Sequence, residues 1–527
     1  MSPFFKRSTW SLDALPPPWG SEGSIYEHVK LHGSDPLPDE APAQGESKIK
    51  WIAGAWDGVL SHHVGSTDAP QRAFDIAIAV RDLLQRPDAN TMTTLYRLVV
   101  NEAVLLYIDT LLHQLAESEP PLDRGHLLEL GRYLVTRSAH REAVKFGMAL
   151  IGLAGTAQDV ETLKLIGRNE EFTLYAANAI TNVAPEPEQP LWDLAKSVRN
   201  WGRIETVERL RETQNPEIQA WMIREGFRNG VMYEYLACIC ARAGRLHEAL
   251  KRQSVDDALL DGAADIICAL LSGEPAEGID DYAHAADACE AYINCVWSRP
   301  DLALKHFLAI ADLRWFLSHA EGWDEARSSS WTETRRKTLQ ALCDDVFGRE
   351  TWRQQVMSAL SATDERTFHE GDAAAKWLSI DTWEVHFIRV KADPLRSSSW
   401  YSLMQQTDER RIDTVLQFAE SVLPFEQIES GPGDEMGLGP GFEAHQALDR
   451  VLQDLRRFPN RGWRLIKAGL RSPVVRNRNM AINALSAWPR ESWDPETNSV
   501  LLAVHELEPN DDVKRRLQDL LEGKPMA

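Results

Sequence analysis

The chain has 527 residues, which is too long for one compact core, so several domains or a repeat array are the alternatives. Its hydrophobic fraction of 43% and charged fraction of 26% are ordinary for a globular protein. The formal net charge of −22 opposes non-specific binding to nucleic acid or to anionic membranes, and it favours a basic partner.

The six cysteines indicate a reduced protein, because no two of them form a C-x₂-C pair and all lie in the middle of the chain. The N-terminal residues lack the apolar core of a signal peptide, and no run of about 18 apolar residues could span a bilayer. We therefore expect a cytoplasmic protein with no membrane segment, no metal site and no cofactor.

The first 46 residues predict an extended, proline-rich N-terminal arm. They contain Pro16-Pro17-Pro18 and a proline- and acid-rich stretch at 35–42, and few apolar residues follow Val29. Trp10, Trp19 and Tyr26 are the residues that would dock this arm against the rest of the chain.

Helical periodicity begins near residue 49 and continues almost to the C-terminus. Predicted helices include Arg72 to Leu84, Thr91 to Leu115 and His126 to Val135, separated by short Pro, Gly, Asn or Asp breaks. Alternation with a period of two is nearly absent. The sequence therefore predicts an all-α protein, with roughly twenty or more helices at ordinary helix and loop lengths.

The stretch Arg168 to Ile180 is typical of the inner helix of a stacked helix pair. Its small and large apolar residues share one helical face, which we expect to be buried: Phe172, Ala176, Ala179 and Ile180. Asn169 and the two acids behind it predict an N-cap and a first turn suited to the helix dipole.

Similar windows follow Asn215, Ser472 and Asn510, at spacings of about 40 residues for the last two. This pattern resembles the inner helix of HEAT repeats, and Leu236 to Leu250 resembles a tetratricopeptide helix pair. The resemblance implies a right-handed α-solenoid of stacked antiparallel helix pairs, in which the inner helices form a concave surface.

A segment rich in glycine and proline interrupts the array at 423–442. We predict four parts: an arm at 1–46, a repeat array at 47–422, an acidic loop or linker at 423–442, and a HEAT-like segment with a basic surface at 443–527. The glycines of the linker do not form a phosphate loop, because the Gly-Lys-Ser/Thr ending and the preceding strand are absent.

Asp57, His62 and His63 are candidate site residues, with Ser61 beside them. Adjacent helical residues point about 100° apart, so both rings could face one metal ion only if the helix breaks there. An enzyme with a site near these residues is one alternative. No catalytic residue is predicted, because neither the H-E-x-x-H pattern nor a recognisable serine or cysteine nucleophile setting occurs.

The second candidate site is a basic segment at 455–490, which contains no Asp or Glu. It could bind a phosphate-bearing ligand, RNA or an acidic protein, or it could dock on acidic helices of the same chain. The candidate binding arginines are Arg456, Arg457, Arg461, Arg464, Arg471, Arg476 and Arg478. Nucleic acid is the less favoured ligand, because the rest of the chain would repel its backbone.

These features together predict a non-catalytic protein-interaction scaffold, of an adaptor, neutralising or immunity type. Its acidic concave face would hold a basic protein or peptide. The chain contains 18 tryptophans, most of which we expect in the core and a minority of which we expect at the binding face.

Overall fold

The computed structural model describes residues 10–37, 52–64, 69–319 and 330–524. In these ranges the protein is all-α, as predicted, with 29 α-helices and no β-strand, and an isolated bridge pairs Glu435 with Val474. None of the helices described is long and apolar enough to cross a membrane. The chain divides into two compact units, unit 1 (Met1–Gly348) and unit 2 (Arg349–Ala527).

Unit 1 contains the first 18 of these helices. They are α1 (Ile25–His32), α2 (Ala55–Val59), α3 (Pro70–Gln85), α4 (Ala89–Val100), α5 (Ile108–Ala116), α6 (Arg124–Arg137), α7 (Arg141–Ala154), α8 (Val160–Gly167), α9 (Thr173–Val183), α10 (Glu188–Ser197), α11 (Trp201–Glu208), α12 (Pro216–Trp221), α13 (Glu234–Ala243), α14 (Leu246–Ala249), α15 (Asp257–Ser272), α16 (Ala285–Trp297), α17 (Leu304–Ser318) and α18 (Glu333–Phe347).

Unit 2 contains the remaining 11 helices of the described residues. They are α19 (Glu350–Leu360), α20 (Glu365–Trp377), α21 (Trp383–Ala392), α22 (Ser397–Gln405), α23 (Ile412–Val422), α24 (Phe425–Ile428), α25 (Glu443–Leu455), α26 (Trp463–Leu470), α27 (Val475–Ala487), α28 (Thr497–Leu507) and α29 (Asp511–Glu522).

Helices in unit 1 pack on the next helix in sequence and also on the next but one. The series α3, α5, α7, α9, α11, α13, α15 and α17 is continuous, because each of these helices contacts its successor in the series. In unit 2 a shorter series of the same kind runs through α25, α27 and α29, and α26 contacts α28. Each unit therefore buries its apolar side chains between neighbouring layers of helices.

The helix at the centre of the predicted repeat is buried as expected: Phe172, Ala176, Ala179 and Ile180 are all at most 1% exposed. The predicted N-cap at Asn169 is wrong, because α9 begins at Thr173. Asn169 instead forms a buried turn, in which its Oδ1 accepts from the Glu171 N–H and its Nδ2 donates to the Asp35 carbonyl. This turn places Glu170 and Glu171 at the edge of the layer.

The predicted helix from Thr91 to Leu115 is also wrong, because it is two helices, α4 and α5, separated by residues 101–107. The break leaves the Val104 N–H free of the helix ladder, and it donates to Glu142 Oε2 at 2.6 Å. A charged acceptor on α7 thus offsets the lost helical hydrogen bonds.

The N-terminal arm predicted at 1–46 contains α1, and residues 1–9 and 38–46 lie outside the described residues. Trp10 stacks on His126, and its Nε1–H donates to the Leu84 carbonyl. Trp19 is buried beside Tyr96. Both tryptophans therefore fasten residues 10–37 to the rest of unit 1.

The Gly/Pro-rich segment 423–442 lies inside unit 2, and the boundary between the units falls at Gly348–Arg349. Backbone hydrogen bonds hold the segment along residues 471–475: Gly431 N–H donates to Arg471, and Glu435 both donates to Pro473 and accepts from Val475. Its glycines supply the left-handed conformations of this path, with φ of +104° at Gly431 and +73° at Gly437.

Candidate functional site

The candidate residues Asp57 and His62 lie on one short segment, 52–64, which consists of α2 and a π-helical turn over Leu60–Val64. Two glycines let this segment lie close to the turn before α9 and to α11. A Cβ on Gly54 would come within 2.4 Å of the Glu170 carbonyl oxygen, and one on Gly58 within 2.3 Å of the Trp201 ring. Only glycine fits these two close approaches.

Asp57 ends in a buried charge cluster around Lys145 of α7, which we call the Lys145 cluster. The Lys145 Nζ lies 2.8 Å from Asp57 Oδ2, 3.0 Å from Glu142 Oε1 and 2.7 Å from Glu171 Oε1. Lys145 is 3% exposed and Asp57 is also 3% exposed. One ammonium group therefore joins the 52–64 segment to α7 and to the turn before α9.

Further contacts fix the two glutamates of the Lys145 cluster. Glu142 also accepts from the Val104 N–H, and Glu171 Oε2 accepts from the Gly54 N–H at 3.3 Å. Arg141 Nη1 lies 3.7 Å from Glu171 Oε2. The cluster thereby connects four pieces of backbone that are distant in sequence.

Burial and charge act in opposite directions on the groups of the Lys145 cluster. Burial disfavours the charged form of Lys145, but the carboxylates of Glu142, Glu171 and Asp57 outweigh it and hold the Lys145 pKa well above its usual value. Burial raises the pKa of Asp57, and Lys145 only partly opposes this. The Lys145 amine is thus protonated at neutral pH and is not a nucleophile.

His62 makes a different set of contacts from Asp57. Its Nδ1 lies 3.0 Å from the Gly58 carbonyl oxygen, and its Nε2 lies 3.3 Å from Glu208 Oε1. Both of these neighbours are acceptors, and they favour an imidazolium in which both ring nitrogens donate. The Glu208 hydrogen bond accordingly raises the pKa of His62 above its usual value, although burial opposes the rise.

Ser61 is adjacent to His62, and its Oγ lies 3.0 Å from His62 Nδ1. A serine nucleophile needs a histidine nitrogen that can accept its proton. Because His62 Nδ1–H donates to the Gly58 carbonyl, Ser61 instead donates to that same carbonyl or to Glu205 Oε1, at 3.0 Å and 3.4 Å. These contacts fasten the Ser61 and His62 side chains to the Gly58 carbonyl and to α11.

The pairing of His62 predicts that rising pH loosens the 52–64 segment. His62 has a raised pKa in the folded chain, so its contribution is complete below its unfolded pKa of about 6.5 and is lost as the pH rises through the folded value. We expect His62→Gln to destabilise unit 1 by about 1–2 kcal/mol at pH 6 and by less at pH 9. Urea unfolding at both pH values measures this difference.

Glu208→Gln is the matched control for this pH dependence, because it removes the charge that raises the His62 pKa and leaves the ring in place. In that background His62→Gln should cost a similar free energy at both pH values. A His62→Gln effect that grows between pH 6 and pH 9 in the otherwise unchanged protein would contradict the assignment of an imidazolium.

No family model matches this chain, and no curated protein matches it. In the described part of the chain, no group of three or more His, Cys, Asp or Glu side chains is placed to hold a metal ion. Asp57 and His62 face different partners, and the side chain of His63 lies outside what the structure describes. The role of the 52–64 segment is therefore inferred from its contacts.

The sequence did not predict the partners of Asp57, which are Lys145, Glu142 and Glu171. A signal for Lys145 does exist, since it is a lysine within the otherwise apolar stretch Ala143 to Ile151, three residues after a glutamate. A long side chain in that position must either reach the surface or find a buried acid.

The basic segment 455–490 lies in unit 2, and most of its cations pair with acids or carbonyls of that unit. Arg461 pairs with Asp413, Arg464 and Arg471 with Glu429, Lys467 with Glu496, Arg476 with Asp449, and Arg478 with Glu508. Arg457 donates to the carbonyls of Met404 and Thr407, whereas Arg456 is exposed. These contacts support the intramolecular alternative.

Proposed function

We propose that this protein is a non-catalytic, cytoplasmic scaffold or neutralising protein that holds a basic protein or peptide. We further propose that each unit is a right-handed, HEAT-like α-solenoid. The support for this arrangement is that helices pack on the next helix but one, which is the contact pattern of stacked helix pairs. The net charge of −22 favours a basic partner.

The exposed apolar surface of the fastened 52–64 segment is the observation that carries this proposal. Trp56 is 45% exposed and Ile52 is 62% exposed. The segment that carries them is nevertheless held in place by the Lys145 cluster and by the His62–Glu208 pair. Burying the charges of the Lys145 cluster costs desolvation free energy, and a solvent-exposed tryptophan does not by itself require such a cluster. The cluster does hold Trp56 in one position before binding, so that a partner would not have to order this side chain.

Carboxylates near the 52–64 segment give this surface its charge preference. Glu205 and Glu208 of α11 lie beside Ser61 and His62. An exposed indole on a segment that also contacts carboxylates suits a lysine or arginine side chain, whose cation can lie over the ring while its alkyl part packs against it. We therefore place the partner's basic segment against Trp56.

The test compares two exposed tryptophans of unit 1. Trp56→Ala should weaken binding to the protein's partner by about 2 kcal/mol or more, roughly thirtyfold, as expected for a central aromatic anchor. The partner is first recovered from native lysate at low salt, identified, purified and then titrated against each variant.

Trp315→Ala is the matched control, because Trp315 is 54% exposed on α17 and lies outside the 52–64 segment. It should leave the dissociation constant unchanged. A partner that is acidic, or one that binds Trp56→Ala and the wild type equally, would overturn the proposal. Salt-sensitive retention of the protein on a polyanion resin would instead favour the alternative of nucleic-acid binding by the basic segment.

A further inference from the structure

Unit 2 contains a small cavity of about 220 Å³ that lies apart from the 52–64 segment in sequence. Side chains of α25 form one wall, and the beginning of α27 forms another. The glycine-rich residues 436–438 and Ser397, at the start of α22, complete it. Gln446 of α25 holds the glycine-rich wall by donating to the Gly437 carbonyl at 3.0 Å.

Helix α25 presents four polar side chains to this cavity in two adjacent rows. His445 and Asp449 are four residues apart, as are Gln446 and Arg450, and all four line the cavity. Residues with this spacing lie one above the other on a helix, so the two rows form a continuous polar patch.

Asp449 is 5% exposed, and only one of its carboxylate oxygens is bonded. Its Oδ2 accepts from Arg476 Nε at 2.6 Å, whereas its Oδ1 is buried and has no hydrogen-bond partner in the described residues. A buried carboxylate oxygen without a donor is unfavourable. A ligand that supplies a donor would remove this cost.

His445 is 6% exposed and offers a second unused acceptor. Its Nδ1 lies 3.1 Å from Ser472 Oγ and 3.3 Å from Asn477 Oδ1. Asn477 Nδ2 donates to the His445 carbonyl, so its Oδ1 faces the ring as an acceptor. Ser472 Oγ donates to Asn477 Oδ1, so both neighbours of Nδ1 can accept from the ring. With the proton assigned to Nδ1 on these contacts, the lone pair of Nε2 has no partner among the described residues.

Arg450 provides a cation that the described residues do not pair with a carboxylate. Its guanidinium stands over the ring of Tyr401, at 5.6 Å from the centroid. The cavity thus combines an unpaired guanidinium with two unpaired acceptors. Such a set matches a ligand that carries both an anionic group and a hydrogen-bond donor.

We propose that this cavity binds a free α-amino acid with an apolar side chain. The ammonium group donates to Asp449 Oδ1 and His445 Nε2, and the carboxylate binds Arg450. The apolar side chain lies against Met436 and Leu438, which are 57% and 67% exposed. This inference is independent of the proposed partner at the 52–64 segment.

The test uses the full chain and the twenty free L-amino acids, measured by isothermal titration and by thermal shift. We expect an apolar amino acid such as L-leucine to bind with a Kd below about 1 mM, corresponding to about −4 kcal/mol. Isoamylamine lacks the carboxylate and 4-methylpentanoate lacks the ammonium group. Each should bind at least about tenfold more weakly than L-leucine, because each leaves one charged contact unmade.

Arg450→Ala tests whether Arg450 binds the ligand or only supports the fold. It should weaken L-leucine by about tenfold or more and leave isoamylamine unchanged, because only the carboxylate contact is lost. Arg456 is an exposed arginine directly after the same helix, and Arg456→Ala should change the Kd of neither L-leucine nor isoamylamine. The proposal is overturned if no amino acid binds at about 10 mM, or if Arg450→Ala binds L-leucine as the wild type does.

Discussion

Replacing Lys145 by methionine is expected to lower the free energy of unfolding of unit 1 by about 3–5 kcal/mol. The substitution keeps the length of the side chain and removes its charge, so Asp57 and Glu142 lose Lys145 as counter-ion and Glu171 keeps only Arg141, at 3.7 Å. Some of this cost is avoided if a carboxyl takes up a proton, and the Asp57 pKa is already raised by burial. Urea unfolding followed by circular dichroism measures the loss.

Lys196→Met is the matched control for Lys145→Met, because Lys196 is 43% exposed in its pair with Asp193. A surface pair of this kind contributes about 0–1 kcal/mol. Asp57→Asn should recover part of the stability when combined with Lys145→Met, since it removes a buried carboxylate charge that Lys145 no longer compensates. Equal losses for the Lys145 and Lys196 variants would show that the Lys145 cluster does not hold the segment.

Periodicity predicted the burial of Phe172 and Ala176 because a helical face depends on residues a few positions apart. The partners of Asp57 were not predictable in the same way. Lys145 and Glu171 are distant in sequence, and only the packing of α7 and the turn before α9 brings them to the segment. The all-α class was therefore accessible from local pattern, whereas the Lys145 cluster depends on tertiary structure.

Asp57 and His62 are close in sequence but contact different partners. The change from α2 to a π-helical turn at Leu60 alters the direction of the following side chains. Asp57 consequently faces Lys145, and His62 faces Glu208. Their common role is to fasten one segment from two sides.

The basic segment shows that composition alone does not reveal whether a charge is paired in the fold. Residues 455–490 contain no acid, so their charge looks unbalanced in the sequence. In the fold, the acids that pair with them come from other helices and loops of unit 2, such as Asp413, Glu429 and Glu508. Local charge predicts a binding surface only where the neighbouring elements leave that charge unpaired.

Replacing Arg478 by methionine is expected to destabilise unit 2 by about 3–5 kcal/mol. Arg478 and Glu508 are both 0% exposed, and the guanidinium donates to both Glu508 oxygens at 2.7 Å. It also donates to the carbonyls of Ser472 and Gly433, at 2.7 Å and 2.6 Å. The variant therefore leaves two carbonyls without a donor and the buried Glu508 carboxylate with only the Asn510 N–H, and urea unfolding measures the cost.

Glu508→Leu combined with Arg478→Met should recover much of this loss, because an apolar pair in place of a buried ion pair is often neutral. Arg515→Met is the surface control, since Arg515 and Asp512 are 69% and 78% exposed, and it should cost less than about 1 kcal/mol. The double variant still lacks the donor to Gly433. It should therefore show faster hydrogen exchange in residues 431–438 than the wild type even where its stability is restored, and unchanged exchange there would contradict an anchoring role for Arg478.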